Sequence, residues 1–593
     1  MSAPKTLIGF AVSPGIAIGR PLVVENRPLP VVRILLAPSQ VDAEVERVRQ
    51  AAHRAAQHVE QLAVAAAAAV GTEYASIFDA HRLMLEDPTL LSGLEAVIRQ
   101  ECVNAEWALE EVTRKLLQQF DQLADVYLRE RRVDLLDVAA ELQRALQGRT
   151  APRFEIREDD HDWVLTADDI PPSQAVQLGS GAVVGFASEA GGTTSHTTII
   201  AKSLGIPAVV GVTGLVAAVA QSSRVIIDGF EGHVIVDPDD ALVQVYRLRA
   251  EEHRHREHEL LGQAGLPAVT LDGRSVRLLA NIDLLQEVDG ARAAGAEGIG
   301  LFRSEFLFLQ ASPELPDEEQ QAQVYAALLA AFPRHQPVTV RTFDLGGKKL
   351  ARELLGNPEA NPVLGLRGVR LCLQKPEFFR TQLRALLRAA GPDRDNLRIM
   401  VPMVGSIEEI KTVKVLLARL RAELRAEGVG IPERVALGAM VEVPAAALIA
   451  EHLAREVDFF AIGTNDLTQY TLAVDRANEQ VADLYRPFHP GVLRLIERII
   501  TAGRRAGISV SLCGELAADP LAVPVLMGLG LEEFSMHAQA MPVVRSLIRS
   551  LSFREARRIA QKALTMSSGK AVEEFLLERL SGLLSHLKVR IRL

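Results

Sequence analysis

In the segment GGTTSHTTIIAKSLGIPAVVG, which begins at Gly191, a histidine sits among hydroxyl side chains. His196 follows two glycines, Thr193, Thr194 and Ser195, and precedes Thr197, Thr198 and an apolar, helix-compatible stretch. A histidine at a helix start lies where free backbone N–H groups and the positive end of the helix dipole favour an attached anion. Neutral imidazole is nucleophilic near pH 7 and the hydroxyls of Thr194, Ser195 and Thr197 can donate to phosphoryl oxygens, so His196 suits a phosphohistidine. Taken alone, a histidine in such company is more often a helix cap or a satisfied surface residue.

Further reactive groups recur where apolar runs end in the C-terminal half. Arg303 and Glu305 lie in GLFRSEFLF, Arg341, Asp344 and Lys349 in VRTFDLGGKK, and Arg367 in NPVLGLRGVR. Glu442 lies in MVEVPAAAL, Asn465, Asp466 and Arg476 in IGTNDLTQYTLAVDR, and Cys513 and Glu515 in LCGELAADP. Planar guanidinium groups neutralise and orient phosphate and carboxylate. A few carboxylates, completed by substrate oxygens and water, suit Mg2+. The competing reading of Glu442 is a buried carboxylate paired with an arginine, and of Asp466 a cap for the next helix. A buried cysteine is usually a small hydrophobe, the reading given to Cys102 and Cys372, whereas Cys513 stands at a strand end.

The elements that must position these groups are α/β in class. After Gly265, apolar runs at Leu278–Ile282, Ile299–Phe302, Val338–Phe343, Leu366–Leu371, Ile399–Val404, Leu437–Val443, Phe459–Ile462 and Ile508–Leu512 alternate with helical stretches, as in a (β/α)8 barrel. A doubly wound sheet shows similar alternation. Reactive residues directly after the strands favour the barrel, whose active sites are built at that end. Upstream, short strand-like runs frame a helical stretch from Pro38 to Gly148 that is nearly free of glycine and proline. The expected organisation is a discontinuous α/β domain (1–30 and 149–240) with an inserted helical bundle (31–148), a highly charged linker helix (241–262) and the barrel (263–593).

Composition narrows the function. With 593 residues and 48% hydrophobic content in short periodic runs, the chain is long enough for several cores and offers no membrane-spanning segment. The N-terminus lacks a signal-peptide pattern, so a cytoplasmic location is expected. A net charge of −10 disfavours nucleic acid and suits a basic protein partner. Three widely spaced cysteines do not suit a disulfide framework.

The strings quoted above, from SPGIAIG near the start to GLEEFSM near the end, resemble enzyme I of the phosphoenolpyruvate:sugar phosphotransferase system. The histidine segment by itself also resembles the phosphohistidine domain of phosphoenolpyruvate synthase and pyruvate phosphate dikinase. The resemblance implies that His196 takes a phosphoryl group from phosphoenolpyruvate. It further implies that Arg303, Arg341 and Arg476 hold the substrate, that Asn465 bonds it, and that Glu442 and Asp466 ligate Mg2+. Cys513 then protonates the enolate to pyruvate. Arg367 and Lys349 either extend the cationic lining or make structural ion pairs. The family also implies a swivelling histidine domain, a homodimer through the barrel, and transfer to an HPr-type phosphocarrier.

The docking stretch for that carrier is TEYASIFDAHRLMLEDP, with Glu73, Asp79, Glu86 and Asp87 beside Ile77, Phe78, Leu83 and Leu85, unless it is an internally packed hairpin with a solvated acidic face. Departures from the family pattern are Thr193 in place of arginine, Lys348 in place of aspartate and Leu366 in place of an aromatic. Phosphoenolpyruvate synthase and dikinase add a nucleotide-binding domain, and this sequence carries no GxxxxGK[ST] loop. A regulatory phosphorelay protein that senses phosphoenolpyruvate is the alternative role; such relatives often add an N-terminal sensory domain, and none is visible before SPGIAIG.

Overall fold

The computed structural model describes residues 4–24, 31–70, 72–121, 126–148, 162–171, 173, 182–190, 201, 205–220, 222–310, 315–344, 361–476, 478 and 481–587. The chain divides into two compact units, Met1–Arg256 and Glu257–Leu593.

In the first unit, β1 (Lys5–Ile8), β2 (Phe10–Ser13) and β3 (Ile16–Val24) precede the helices in sequence. After the helices come β4 (Trp163–Ala167), β5 (Val183–Ser188), β6 (Ala208–Val210), β7 (Val225–Asp228) and β8 (His233–Val236). All eight join one sheet in the order β1-β8-β7-β3-β4-β5-β6-β2. β3 pairs antiparallel with β7 and parallel with β4, so the helices form a chain excursion between two adjacent strands of one sheet. Those helices span Val41–Val70, Thr72–Leu85, Pro88–Glu101, Ala105–Asp121 and Val126–Leu146.

Small residues at helical spacing on the first of these helices, Ala51, Ala52, Ala55, Ala56 and Val59, are buried against Phe78, Leu94, Ile98, Leu109 and Leu142. The Asp87 carboxylate accepts from Thr89 N at 2.6 Å, with Pro88 at the first helical position, which fixes where the third helix begins. Phe78 and Leu85, expected on a docking face, belong to this core, while Leu83 stays 54% exposed. The charged helix Asp240–Gly262 seats Val243 and Tyr246 against Ile226 and Ile235 of β7 and β8.

The second unit is a closed barrel of β9 (Arg277–Ile282), β10 (Ile299–Arg303), β11 (Val338–Arg341), β12 (Leu397–Val401), β13 (Ala436–Val441), β14 (Phe459–Ile462), β15 (Ser509–Leu512) and β16 (Glu533–Met536). Every neighbouring pair is parallel. Side-chain alternation sorts the strands into two environments. Leu278, Ala280 and Ile282 pack outward with the helices, whereas Leu301, Met400, Met440, Phe459, Ala461 and Cys513 form an inner cluster.

Two strand assignments need correction. Leu366–Leu371 is not a strand: Gly368 turns the chain at φ 55°, and a helix runs from Val369 to Gln374. A Cβ at Gly368 would lie 2.7 Å from that of Met403, so glycine is required there for space as well as for φ. The barrel is closed instead by β16, whose sequence EFSM hides a strand because its inward residues are polar. Glu533 accepts from Arg277 Nη1 at 2.8 Å and Arg398 Nη1 at 3.1 Å, and Ser535 Oγ donates to Asn281 Oδ1 at 2.6 Å.

Glu533 is 6% exposed and binds two arginines, so losing its charge strands both. Because Arg277 is partly solvated, Glu533→Gln should cost about 2 kcal/mol, read as a lower denaturant midpoint for the barrel transition. An unchanged midpoint would show that the cluster contributes nothing to closure.

Candidate active site

Five strands deliver reactive groups to the C-terminal end of the barrel. Arg303 ends β10 and Glu305 opens the next helix; Arg341 ends β11, with Asp344 three residues on. Glu442 follows β13, and β14 runs through Gly463 into the helix Thr464–Leu472, which carries Asn465, Asp466 and Tyr470. Cys513 and Glu515 follow β15.

The charges are interlocked. Arg341 lies between Glu305 and Asp344, with Nη1 3.0 Å from Asp344 Oδ2. Arg367 reaches in from the loop before its helix and donates to Asp344 Oδ1 at 3.2 Å and Oδ2 at 3.0 Å. The same guanidinium bonds Asp466 Oδ2 at 3.2 Å and Tyr470 OH at 3.3 Å. Tyr470 in turn donates to Val363 O at 2.6 Å, which ties this loop to the barrel mouth. Arg303 Nη1 donates to Asp283 Oδ2 at 3.0 Å.

Asp344, Glu442 and Asp466 are all buried, and each offers an oxygen within 4.8 Å of the other two. Burial works against the Asp344 charge, yet Arg341 and Arg367 beside it hold its pKa below the ordinary carboxylate value. Glu442 has less of that compensation: its Oε1 accepts Met403 N at 2.7 Å, and burial, then the charges of Asp466 and Asp344, push its pKa up against the charge of Arg341. A trio of hard oxygen donors with one member short of positive charge fits a divalent cation of the oxygen-loving kind.

Cys513 is buried, its Sγ 3.7 Å from Ile462 O, and its carbonyl accepts from Asn281 Nδ2 at 3.0 Å. Burial first, then the charge of Glu442, pushes the thiol up to about 12. Such a thiol keeps its proton at neutral pH, so it can serve as an acid rather than a nucleophile. Asn465 spends its side chain on Glu515, accepting Glu515 N at 3.0 Å and donating to Oε1 at 3.4 Å. Arg476 is exposed, and its backbone N–H donates to Gln469 Oε1 at 3.1 Å.

The barrel mouth therefore gathers Arg303, Arg341, Arg367, Glu442, Asn465, Asp466, Arg476 and Cys513. His196, Thr194, Ser195, Thr197 and Lys349 lie outside the described residues. Sequence reasoning named Asp344 among the strand-end groups without giving it a role and passed over Tyr470, although each carried a signal: Asp344 comes three residues after a strand, and Tyr470 lies one helical turn after Asp466. No helix among the described residues is long and apolar enough to cross a membrane.

Comparison with known proteins gives this architecture a class. Models of the PEP-utilising enzymes match in three parts: the N-terminal domain over residues 8–131, the mobile domain over 160–232 and the PEP-binding domain over 258–553. Phosphoenolpyruvate-protein phosphotransferase of Geobacillus stearothermophilus is 41% identical over 96% of this chain and 97% of its own length. The protein of the same name from Bacillus subtilis (strain 168) is 39% identical over 97% and 99%. A solved structure described as an NMR solution structure of Enzyme I is 36% identical, covers 42% of this chain and 99% of its own, and has a TM-score of 0.37. The chain is an enzyme of the PEP-utilising class. It belongs to the phosphoenolpyruvate-protein phosphotransferase family.

The raised thiol pKa has a direct readout in metal-free protein. Alkylation of Cys513 by iodoacetamide, followed by mass spectrometry, should keep accelerating with pH towards about 12. A plateau near the roughly 8.5 of a free cysteine would contradict the environment described.

Proposed function

We propose that the chain accepts a phosphoryl group from phosphoenolpyruvate on His196, releases pyruvate, and passes the group to a histidine of an HPr-type phosphocarrier, the first step of a sugar phosphotransferase system. The observation that carries this reading is the convergence of guanidinium groups, a buried carboxylate trio and a buried thiol at one barrel mouth. Phosphoenolpyruvate needs those three kinds of group: cations for its phosphate and carboxylate, oxygen ligands that would hold a divalent metal, and an acid for its methylene carbon.

In this reading Arg303, Arg341 and Arg476 orient the substrate, and Arg367 and Lys349 extend the positive lining. Asn465 offers its amide to the substrate once its bonds to Glu515 are exchanged. Glu442 and Asp466 would hold Mg2+, which supplies charge neutralisation at the phosphate. His196 Nε2 attacks the phosphorus in line, and the bond from phosphorus to the enol oxygen breaks. The enolate takes the Cys513 thiol proton on carbon to give pyruvate, and the thiolate regains its proton from solvent. Thr194, Ser195 and Thr197 donate to the phosphoryl oxygens on the histidine.

The domain division follows the same logic: α/β domain (1–30 and 149–240), helical carrier-docking domain (31–148), linker (241–262) and barrel (263–593). A nucleophile outside the barrel must enter and leave it, so the linker is read as a hinge for swivelling. The protein is placed in the cytoplasm, as a homodimer through its barrel.

Incubation with phosphoenolpyruvate radiolabelled in its phosphate, with Mg2+, should give one acid-labile label per chain. That label should be absent in His196→Ala and should move to an added HPr-type carrier. Label that persists in His196→Ala would overturn the assignment of the nucleophile, and label that no carrier accepts would overturn the relay.

A further inference from the structure

Behind the charged groups of β10 and β11 lies a buried polar chain to which the proposed chemistry gives no task. At its centre is Gln382, on the helix Pro376–Ala390, fully buried. Its Oε1 accepts Phe343 N at 3.0 Å. Its Nε2 donates to Ser304 Oγ at 2.9 Å and to Tyr325 OH at 3.2 Å. Ser304 Oγ passes the chain on, donating to Arg341 O at 2.7 Å. The amide orientation is dictated by its neighbours, because Phe343 N–H can only donate and must face the carbonyl oxygen.

The positions of these contacts matter more than their number. Ser304 separates Arg303 from Glu305, and Phe343 immediately precedes Asp344. One amide thus holds the residues beside three charged groups of the barrel mouth, at the ends of two strands, and through Ser304 it reaches the carbonyl of a fourth, Arg341. Water is a poor substitute here, since the rings of Phe308, Phe343 and Phe378 close on one another with centroids 4.5–5.2 Å apart.

We infer that Gln382 is a positioning residue for phosphoryl transfer: through Ser304 and Phe343 it sets the placement of Arg341 between Glu305 and Asp344, without touching substrate. The kinetic form of this inference rests on the proposed reading of the site as the phosphoenolpyruvate site. The packing form does not. Gln382→Met keeps length and apolar bulk, but leaves Phe343 N–H without an acceptor and the Ser304 and Tyr325 hydroxyls without their donor. Ser304→Ala removes the link to Arg341 and one of the two acceptors of Gln382 Nε2, and leaves the bonds of Gln382 to Phe343 and Tyr325 in place.

The test uses the full chain and radiolabelled phosphoenolpyruvate. Gln382→Met should slow labelling by on the order of 10²-fold and Ser304→Ala by about tenfold, as expected for a misplaced transition-state contact. The phosphoenolpyruvate concentration for half-maximal rate should change by less than about threefold, and the neighbouring Thr381→Val should match wild type. Rates within about twofold of wild type in both test variants, or a change confined to the half-maximal concentration, would overturn the inference. Should Gln382→Met fail to fold, Ser304→Ala decides alone.

A second measurement separates this inference from the functional reading. In protein isotope-labelled at arginine side chains, the Arg341 Nε resonance, assigned by its loss in Arg341→Lys, should move in Ser304→Ala and stay in Thr381→Val. An unmoved resonance overturns the positioning role even if labelling proceeds. Absence of labelling in wild type, with the resonance shift present, would sink the phosphotransfer reading and leave the positioning role standing.

Discussion

Carboxylates crowded into a buried site hold their charge only where positive charge stands beside them, and the mouth of this barrel is organised around that constraint. Asp344 satisfies it twice, through Arg341 and Arg367, and remains ionised in spite of its burial. Asp466 shares Arg367 with it, at 3.2 Å. Glu442 has an amide hydrogen bond and, among the described residues, no guanidinium in an ion pair with it, and burial together with Asp466 and Asp344 raises its pKa against the more distant charge of Arg341. A cation delivered to the trio repairs that deficit, and an anionic substrate brought with it can draw on the arginines. In the proposed reading the same guanidinium groups serve two states: the ion pairs with carboxylates described here, and contacts to substrate.

The barrel makes this arrangement affordable. Its parallel ladder satisfies the backbone, and alternation lets one set of side chains face the helices while the other faces the axis. Along the axis the polarity changes from end to end. Arg277, Arg398 and Glu533 sit at the strand starts, an apolar cluster with Met400, Met440 and Phe459 fills the middle, and the reactive groups occupy the strand ends. The apolar middle keeps water from below out of the upper charges, which is why burial weighs so heavily on Glu442 and Cys513. Asn281 links the layers, accepting from Ser535 and donating to the carbonyl of Cys513.

Much of this was legible in the sequence where physics writes in long apolar runs. The barrel strands other than β16 and the strand-end residues Arg303, Arg341, Glu442, Asp466 and Cys513 could be read that way. β16 could not, because its inward positions carry Glu533 and Ser535 and break the apolar run that marks its neighbours. Leu366–Leu371 looked like a strand because apolar spacing says nothing of a glycine held at positive φ under Met403. Asp344 was named at a strand end but given no role, because its importance lies in what it meets beyond its neighbour Arg341: Arg367, Glu442 and Asp466 come from distant segments, and no local pattern encodes that. Gln382 was invisible for the same reason: a lone amide in an amphipathic helix announces nothing until its three partners are in place.

The surplus of buried carboxylate is the point from which the catalytic account can be tested most directly. Mn2+ titrated into the purified protein and followed by electron paramagnetic resonance should reveal one site per chain, lost in Glu442→Gln and in Asp466→Asn while both variants remain folded. No site in the wild type, or an affinity unchanged in both variants, would contradict the account.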